Sequence, residues 1–181
     1  AVTVRDAKNC MATGSTTVNE PTPLVVNLDS VDVSCQLGSN GEVTVTASGG
    51  TGLYSYSWSV NSTSQSVSGL SAGNYTVTVQ DGNNCKTTGT ILINEPTQLV
   101  LSTGKKDATC GNSDGWASVT AVGGTPAYSY KWTGGSSSDS VSQKSSGNYA
   151  VTVTDSKGCT GDTVIFIDDI GGPSAGVADS T

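Results

Sequence analysis

The sequence predicts an all-β chain built of tandem β-sandwich repeats, and three observations carry that reading. Sliding the chain along itself by 75 residues lays Cys10 on Cys85 and Cys35 on Cys110, and a slide of 74 lays Cys85 on Cys159. The phrases around them agree: AVTVRDAKNC, TVTVQDGNNC and AVTVTDSKGC. The composition, with 23 Gly and only 13% charged residues, suits short strands and turns rather than helices.

Repeat one, read from Thr22, offers the strand segments PLVVNL, DVSC, EVTVTA, YSYSW, SQSVSG, NYTVTV and TILIN. Repeat two offers QLVLST, WASVTAV, YSYKW, SDSVSQ, NYAVTV and TVIFI in the same order. Each segment is β-branched or aromatic and bounded by Gly, Asn or Asp, so six or seven strands per repeat are expected. Alternation places Tyr54, Tyr56 and Trp58 on one face of their strand, and Tyr128, Tyr130 and Trp132 on one face of theirs. Each Trp precedes a Gly-Asn-Tyr at the same distance, Trp58 before Tyr75 and Trp132 before Tyr149. A core Trp followed by a corner Tyr at the start of a later strand is the signature of an immunoglobulin-like β-sandwich. A β-helix would need a much shorter repeat and a propeller a shorter period of four-stranded blades.

The expected organisation is therefore residues 1–21 as the last strands of a preceding repeat, 22–96 and 97–170 as two sandwich repeats, and 171–181 as a linker or the start of another. A repeat of this size buries only ~60% of its unfolded surface, so its core is thin and extra constraints help. Two strands alone are marginal in water, so residues 1–21 need partner strands from the same chain or a neighbouring one. Exchange of strands between identical chains would give a fibre or a ring. Pro21 and Pro96 stiffen the junctions.

A formal charge of −7 with no His argues against nucleic acid as a partner, since phosphates call for Lys and Arg stripes. The sequence has no apolar run of spanning length, and neither a membrane span nor a retained signal peptide is expected.

Catalytic motifs read as turns. Gly69-Leu70-Ser71-Ala72-Gly73 fits a serine-hydrolase elbow, but the chain has no His, the segment leads into a strand, and repeat two carries QKSSG instead. No enzyme activity is expected. The loops Asn112-Ser113-Asp114-Gly115, Asp81-Gly82-Asn83 and Asp155-Ser156-Lys157-Gly158 are oxygen-rich; they suit Ca²⁺ in part, and turn chemistry accounts for them equally well. No other cofactor is expected.

The phrases SGGTGLYSYSW, SGLSAGNYTVTVQDGNNC and ILINEPTQL, repeated as VGGTPAYSYKW, SSGNYAVTVTDSKGC and IDDIGGPSAG, resemble SprB repeats, the tandem modules of very large surface adhesins of Bacteroidetes, gliding bacteria among them. The resemblance covers nearly the whole chain. It implies export by the type IX secretion system, an extracellular setting and a role in adhesion or filament building. It also implies O-glycan attachment where Asp precedes Ser or Thr and then a small or aliphatic residue, at Ser30, Ser140, Thr163 and Ser180. The sequons at Asn61 and Asn74 carry little weight in a bacterial chain. The reading that follows is a structural stalk or filament segment. The alternative is a module that binds glycans or protein through the loops 62–66 or 134–139.

The five cysteines, with no His and no close C-x-x-C pair, point to disulfides rather than zinc. Pairing within repeats joins Cys35 to Cys85 and Cys110 to Cys159 and leaves Cys10 over. An immunoglobulin-like topology instead sets Cys35 and Cys85 at opposite ends of one sandwich, roughly 20 Å apart, where bridged Cα atoms sit within about 7 Å. Cys35 would then meet Cys159 across the junction, or another chain. The sequence leaves both pairings open.

Overall fold

The computed structural model describes residues 1–172. The described residues carry strands throughout and no helix. In chain order the strands are β1 (Val2–Arg5), β2 (Met11–Gly14), β3 (Val25–Val31), β4 (Gly41–Ser48), β5 (Ser55–Trp58), β6 (Ser66–Leu70), β7 (Gly73–Gln80) and β8 (Lys86–Ile93). They continue with β9 (Val100–Lys106), β10 (Ala108–Thr109), β11 (Gly115–Val122), β12 (Ser129–Trp132), β13 (Ser140–Lys144), β14 (Gly147–Thr154), β15 (Thr160–Ile167) and β16 (Asp169–Ile170).

Repeat two forms two three-stranded sheets, ordered β13-β11-β9 and β12-β14-β15, and a short parallel pair, β10 with β16. With that pair set aside, its six longer strands divide as first, second and fourth against third, fifth and sixth, the division of an immunoglobulin-like sandwich. Repeat one divides in the same way, into β3-β4-β6 and β5-β7-β8. The DVSC segment of repeat one is not a strand. The Val33 N–H donates to the Asn94 carbonyl at 3.0 Å, and Asp32 Oδ1 accepts the Asn94 N–H at 2.8 Å. The Asp32 carboxylate holds this segment in a loop beside the linker, and repeat one keeps six strands.

The chain divides into two compact units, and the division cuts across repeat one. Among the described residues, one comprises Ala1–Leu28, Val45–Gln65 and Thr76–Thr90; the other comprises Asp29–Thr44, Ser66–Tyr75 and residues 91–172.

In the second unit the core follows from strand alternation. On β11 Gly115, Ala117, Val119 and Ala121 point inward, while Trp116, Ser118, Thr120 and Val122 point outward or lie part-buried. Val151 and Val153 of β14, Ile165 and Ile167 of β15, and Trp132 meet them, with Leu99, Leu101, Tyr128, Tyr130 and Tyr149 packed around the edge. Each fully buried Val or Ile contributes about 1.5–3 kcal/mol relative to exposure.

In the first unit β5 pairs antiparallel with β7, setting Trp58 opposite Val77 and Tyr56 opposite Val79. Residues Val45, Trp58, Val77 and Val79 are buried. The β1–β2 hairpin repeats the sequence of β7–β8, with Val2 opposite Gly14 and Val4 opposite Ala12. Val2 and Val4 stand 62% exposed, whereas Val77 and Val79 at the matching places are 0% exposed.

Candidate functional site: a loop bonded to a turn

The hairpin turn that ends the fifth strand of each repeat is organised by one aspartate. In repeat two Asp155 Oδ1 accepts the N–H groups of Lys157 and Cys159, both at 2.9 Å, and the Asp155 N–H donates to the Cys159 carbonyl at 2.9 Å. Its Oδ2 reaches across to the loop between β11 and β12 and accepts the Thr125 N–H at 2.8 Å. Asp81 repeats this with Asn83, Cys85 and Thr51, at 2.9, 2.9 and 3.1 Å. Asp6 does the same with Lys8 and Cys10, at 2.8 and 2.9 Å.

Asp81 and Asp155 are 3% and 5% exposed, and a buried carboxylate persists only where donors surround it. The Thr125 N–H holds the Asp155 carboxyl below its ordinary range, against burial, and the Cys159 and Lys157 N–H groups add to the effect. For Asp81 burial pushes the carboxyl up, and the N–H groups of Cys85, Thr51 and Asn83 outweigh it, so it too lies low.

The Gly-Gly pair ahead of each aromatic strand fits this turn. Gly123 has φ +77°, and a Cβ there would lie 1.9 Å from the Gln98 carbonyl oxygen. Gly124 has φ +58°, and its Cβ would lie 2.6 Å from Asp155 Oδ2. The Tyr128 hydroxyl donates to the Gly123 carbonyl at 2.7 Å, as Tyr54 does to Gly49 at 2.6 Å. GGT, Tyr and the turn Asp thus form one device, which the sequence reading missed. Its signal was the recurrence of GGT and of the Asp four residues before each turn Cys.

Of the residues singled out as core and corner, Trp58 and Trp132 are buried and Tyr75 and Tyr149 are half-buried. The indole N–H groups of Trp58 and Trp132 donate to the carbonyls of Ser64 and Ser138 at 2.9 and 2.8 Å. The hydroxyls of Tyr75 and Tyr149 each donate to a carbonyl four residues upstream, Ser71 and Ser145, at 2.9 Å, the bond of a tyrosine corner. Ser71 of the elbow-like motif therefore lies in the β6–β7 turn, its carbonyl taken by Tyr75.

One disulfide is present among the described residues, and it joins Cys35 to Cys159 with Cα atoms 5.6 Å apart. Of the two pairings open from sequence, the junction pairing is the one formed. The reason is visible in repeat two. Cys110 lies before β11, its N–H bonded to the Ile170 carbonyl, whereas the Cys159 turn is tied to Thr125 beyond the far end of β11. Eight residues of strand separate the two ends by roughly 24 Å, far beyond disulfide reach. The bond therefore ties the first loop of repeat one to the last turn of repeat two. Beside it a cleft of about 430 Å³ is lined by Val33, Asn94, Glu95, Pro96, Thr125 and Lys157, among others. Cys10, Cys85 and Cys110 are free and exposed.

The acidic loops considered for Ca²⁺ use their carboxylates internally. Asp81 and Asp155 serve the turns, and Asp114 accepts the Thr109 N–H at 2.8 Å, the Thr109 hydroxyl at 3.0 Å and the Lys106 ammonium at 3.1 Å. Those contacts lower the Asp114 carboxyl to about 2, the Thr109 N–H contributing most. Among the described residues no cluster of three His, Cys, Asp or Glu side chains is placed to hold a metal. Of the Ser and Thr singled out for O-glycans, Ser140 is exposed, Ser30 and Thr163 are half-buried, and Ser180 lies outside the described residues.

No helix among the described residues is long and apolar enough to cross a membrane. The SprB repeat family model matches residues 27–63 and 102–137. Each matched segment runs from the first strand of a repeat past its Trp-bearing strand, and over those residues the chain is similar to SprB repeats. No curated protein sequence matches the chain. Among solved structures, it is similar to the C-terminal 282-residue fragment of intimin in complex with the translocated intimin receptor intimin-binding domain. That match has 14% identity and a TM-score of 0.43, and covers 81% of this chain and 64% of that one. It is also similar to the N-terminal eight immunoglobulin domains of Down syndrome cell adhesion molecule, with 16% identity, a TM-score of 0.41, and 83% and 25% covered. The chain thus spans less than two thirds of either. Its immunoglobulin-like assignment stands on the strand order of its own repeats.

Proposed function

We propose that this chain is a structural segment of an exported cell-surface adhesin, in which sandwich repeats at 22–96 and 97–170 build a stalk or filament for attachment to surfaces or other cells. Residues 1–21 then supply the last hairpin of a preceding repeat, and residues from 171 lead towards a following one. The observation that carries the reading is the Cys35–Cys159 bridge, because a covalent tie between consecutive repeats resists their separation under load. An extracellular site agrees with that bridge, since disulfides persist where thiols are not kept reduced. Type IX secretion, a place in gliding bacteria and assembly of identical chains belong to the same reading, and the surface or envelope ligand is left open by it. The candidate binding loops 62–66 and 134–139 carry no aromatic side chain. Trp116, 38% exposed, lies over Gly104 of the neighbouring strand, where a Cβ would sit 3.3 Å from its Cζ3. That placement favours covering the sheet over contacting a ligand.

Force spectroscopy tests the reading. Pulled by its ends under oxidising conditions, the chain should withhold the 124-residue span that the bridge encloses. Reductant should then add about 400 Å of extension, at roughly 3.4 Å per residue. Equal extensions with and without reductant would contradict a force-carrying bridge.

A further inference from the structure

Cys110 occupies in repeat two the place that Cys35 occupies in repeat one, and Cys85 and Cys10 occupy the place of Cys159. The backbone two and three residues before each loop cysteine is bonded in the same way, although Cys110 itself, unlike Cys35, has a positive φ of 51° and bonds its N–H to the Ile170 carbonyl. At Cys35 the Val33 N–H donates to Asn94 O at 3.0 Å and the Asn94 N–H to Asp32 Oδ1 at 2.8 Å. At Cys110 the Ala108 N–H donates to Asp168 O and the Asp168 N–H to Asp107 Oδ1, both at 2.9 Å. The turns match as well, with the cysteine N–H on the aspartate Oδ1 at 2.9 Å at each of Cys10, Cys85 and Cys159. The molecule therefore holds one filled loop–turn pair, and the free, exposed cysteines are one unfilled loop position and two unfilled turn positions of the same two kinds.

We propose that Cys110 is the attachment point for the turn cysteine of a further copy of this repeat, and that Cys85 and Cys10 are the attachment points for the loop cysteine of further copies. Each bond repeats the rule that the internal bridge obeys, the loop of one repeat to the last turn of the next. The inference rests on the stalk reading and names the partner of each repeat. The pairing is heterologous, loop to turn and never like to like, so it propagates head to tail instead of closing a symmetric pair. Each bond forms as two thiols give up two protons and two electrons to a disulfide oxidant, which leaves as two thiols.

With this chain alone, the further copy is a second molecule of it, and oxidised glutathione is the oxidant. The chain is incubated at high concentration, resolved without reductant and mapped by peptide mass. The expected result is a ladder of covalent oligomers whose bonds join Cys110 of one chain to Cys85 or Cys10 of another. Cys110→Ser should abolish the ladder, and so should Cys10→Ser combined with Cys85→Ser, while both variants keep the internal Cys35–Cys159 bond as proof of folding. A ladder that survives Cys110→Ser, a predominance of Cys85–Cys85, Cys10–Cys85 or Cys110–Cys110 bonds, or no ladder in the unaltered chain would overturn the proposal. None of those results would touch the force behaviour of the internal bridge, so the two readings fail separately.

Discussion

Asp155 and Cys159 face each other across one turn, each donating its backbone N–H to an oxygen of the other at 2.9 Å. Through that pair the carboxylate that shapes the end of one sandwich also presents the sulfur that binds the repeat before it. Fold and linkage share the same few residues.

Acid should weaken the fold through these carboxylates. Asp81, Asp155, Asp107 and Asp114 all lie below the ordinary carboxylate value of 3.8, Asp107 chiefly through Lys105. The folded state therefore binds fewer protons than the unfolded one, and stability rises with pH across the window. The stabilisation is complete above the ordinary value and is lost as pH falls through the folded values, for Asp114 between about 4 and about 2. Denaturant midpoints measured from pH 6 to pH 2 should fall below about pH 4, and Asp155→Asn should flatten part of that fall.

Gly124 cannot carry a side chain without displacing the Asp155 carboxylate, which would lie 2.6 Å from its Cβ. Gly124→Ala should destabilise the fold by about 1–3 kcal/mol through the left-handed backbone alone. Gly171, whose Cβ would meet nothing within 4 Å, should tolerate the same change in a parallel urea titration.

Trp132 fills the centre of the second repeat's core at 2% exposure. Trp132→Ala should cost about 3–5 kcal/mol. Tyr149→Phe, which removes only the hydroxyl bond to the Ser145 carbonyl at 2.9 Å, should cost about 1 kcal/mol. Calorimetry on the two variants separates the packing of the core from the corner bond.

Reduction, or Cys35→Ser, should lower stability by about 2–4 kcal/mol, since the bridge restricts a long span of unfolded chain. Cys159 should then become open to alkylation. A variant at Cys85, which is free and exposed, should leave the denaturation midpoint unchanged.

Much of this architecture was legible because it is written in local periods. Alternation marked the faces of YSYSW and YSYKW, and the equal Trp-to-Tyr spacing marked the sandwich. The DVSC segment misled because its alternation is real, yet Asp32 spends its carboxylate on the Asn94 N–H. The buried turn acids were hidden for the opposite reason. In QDGNNC and TDSKGC an Asp beside Gly, Asn or Ser reads as an exposed turn, and only the approach of Thr51 and Thr125 from another loop reveals its burial. The partner of Cys35 depends on how one repeat meets the next, which no local pattern encodes.

The central claim is the bond between the first loop of one repeat and the last turn of the next, and peptide mass mapping of the unreduced, monomeric protein tests it most directly. A single linked pair containing Cys35 and Cys159, with Cys10, Cys85 and Cys110 alkylated as free thiols, is the predicted result. Peptides linking Cys35 to Cys85 and Cys110 to Cys159 would contradict it, and would make each repeat a self-contained bead on a flexible tether.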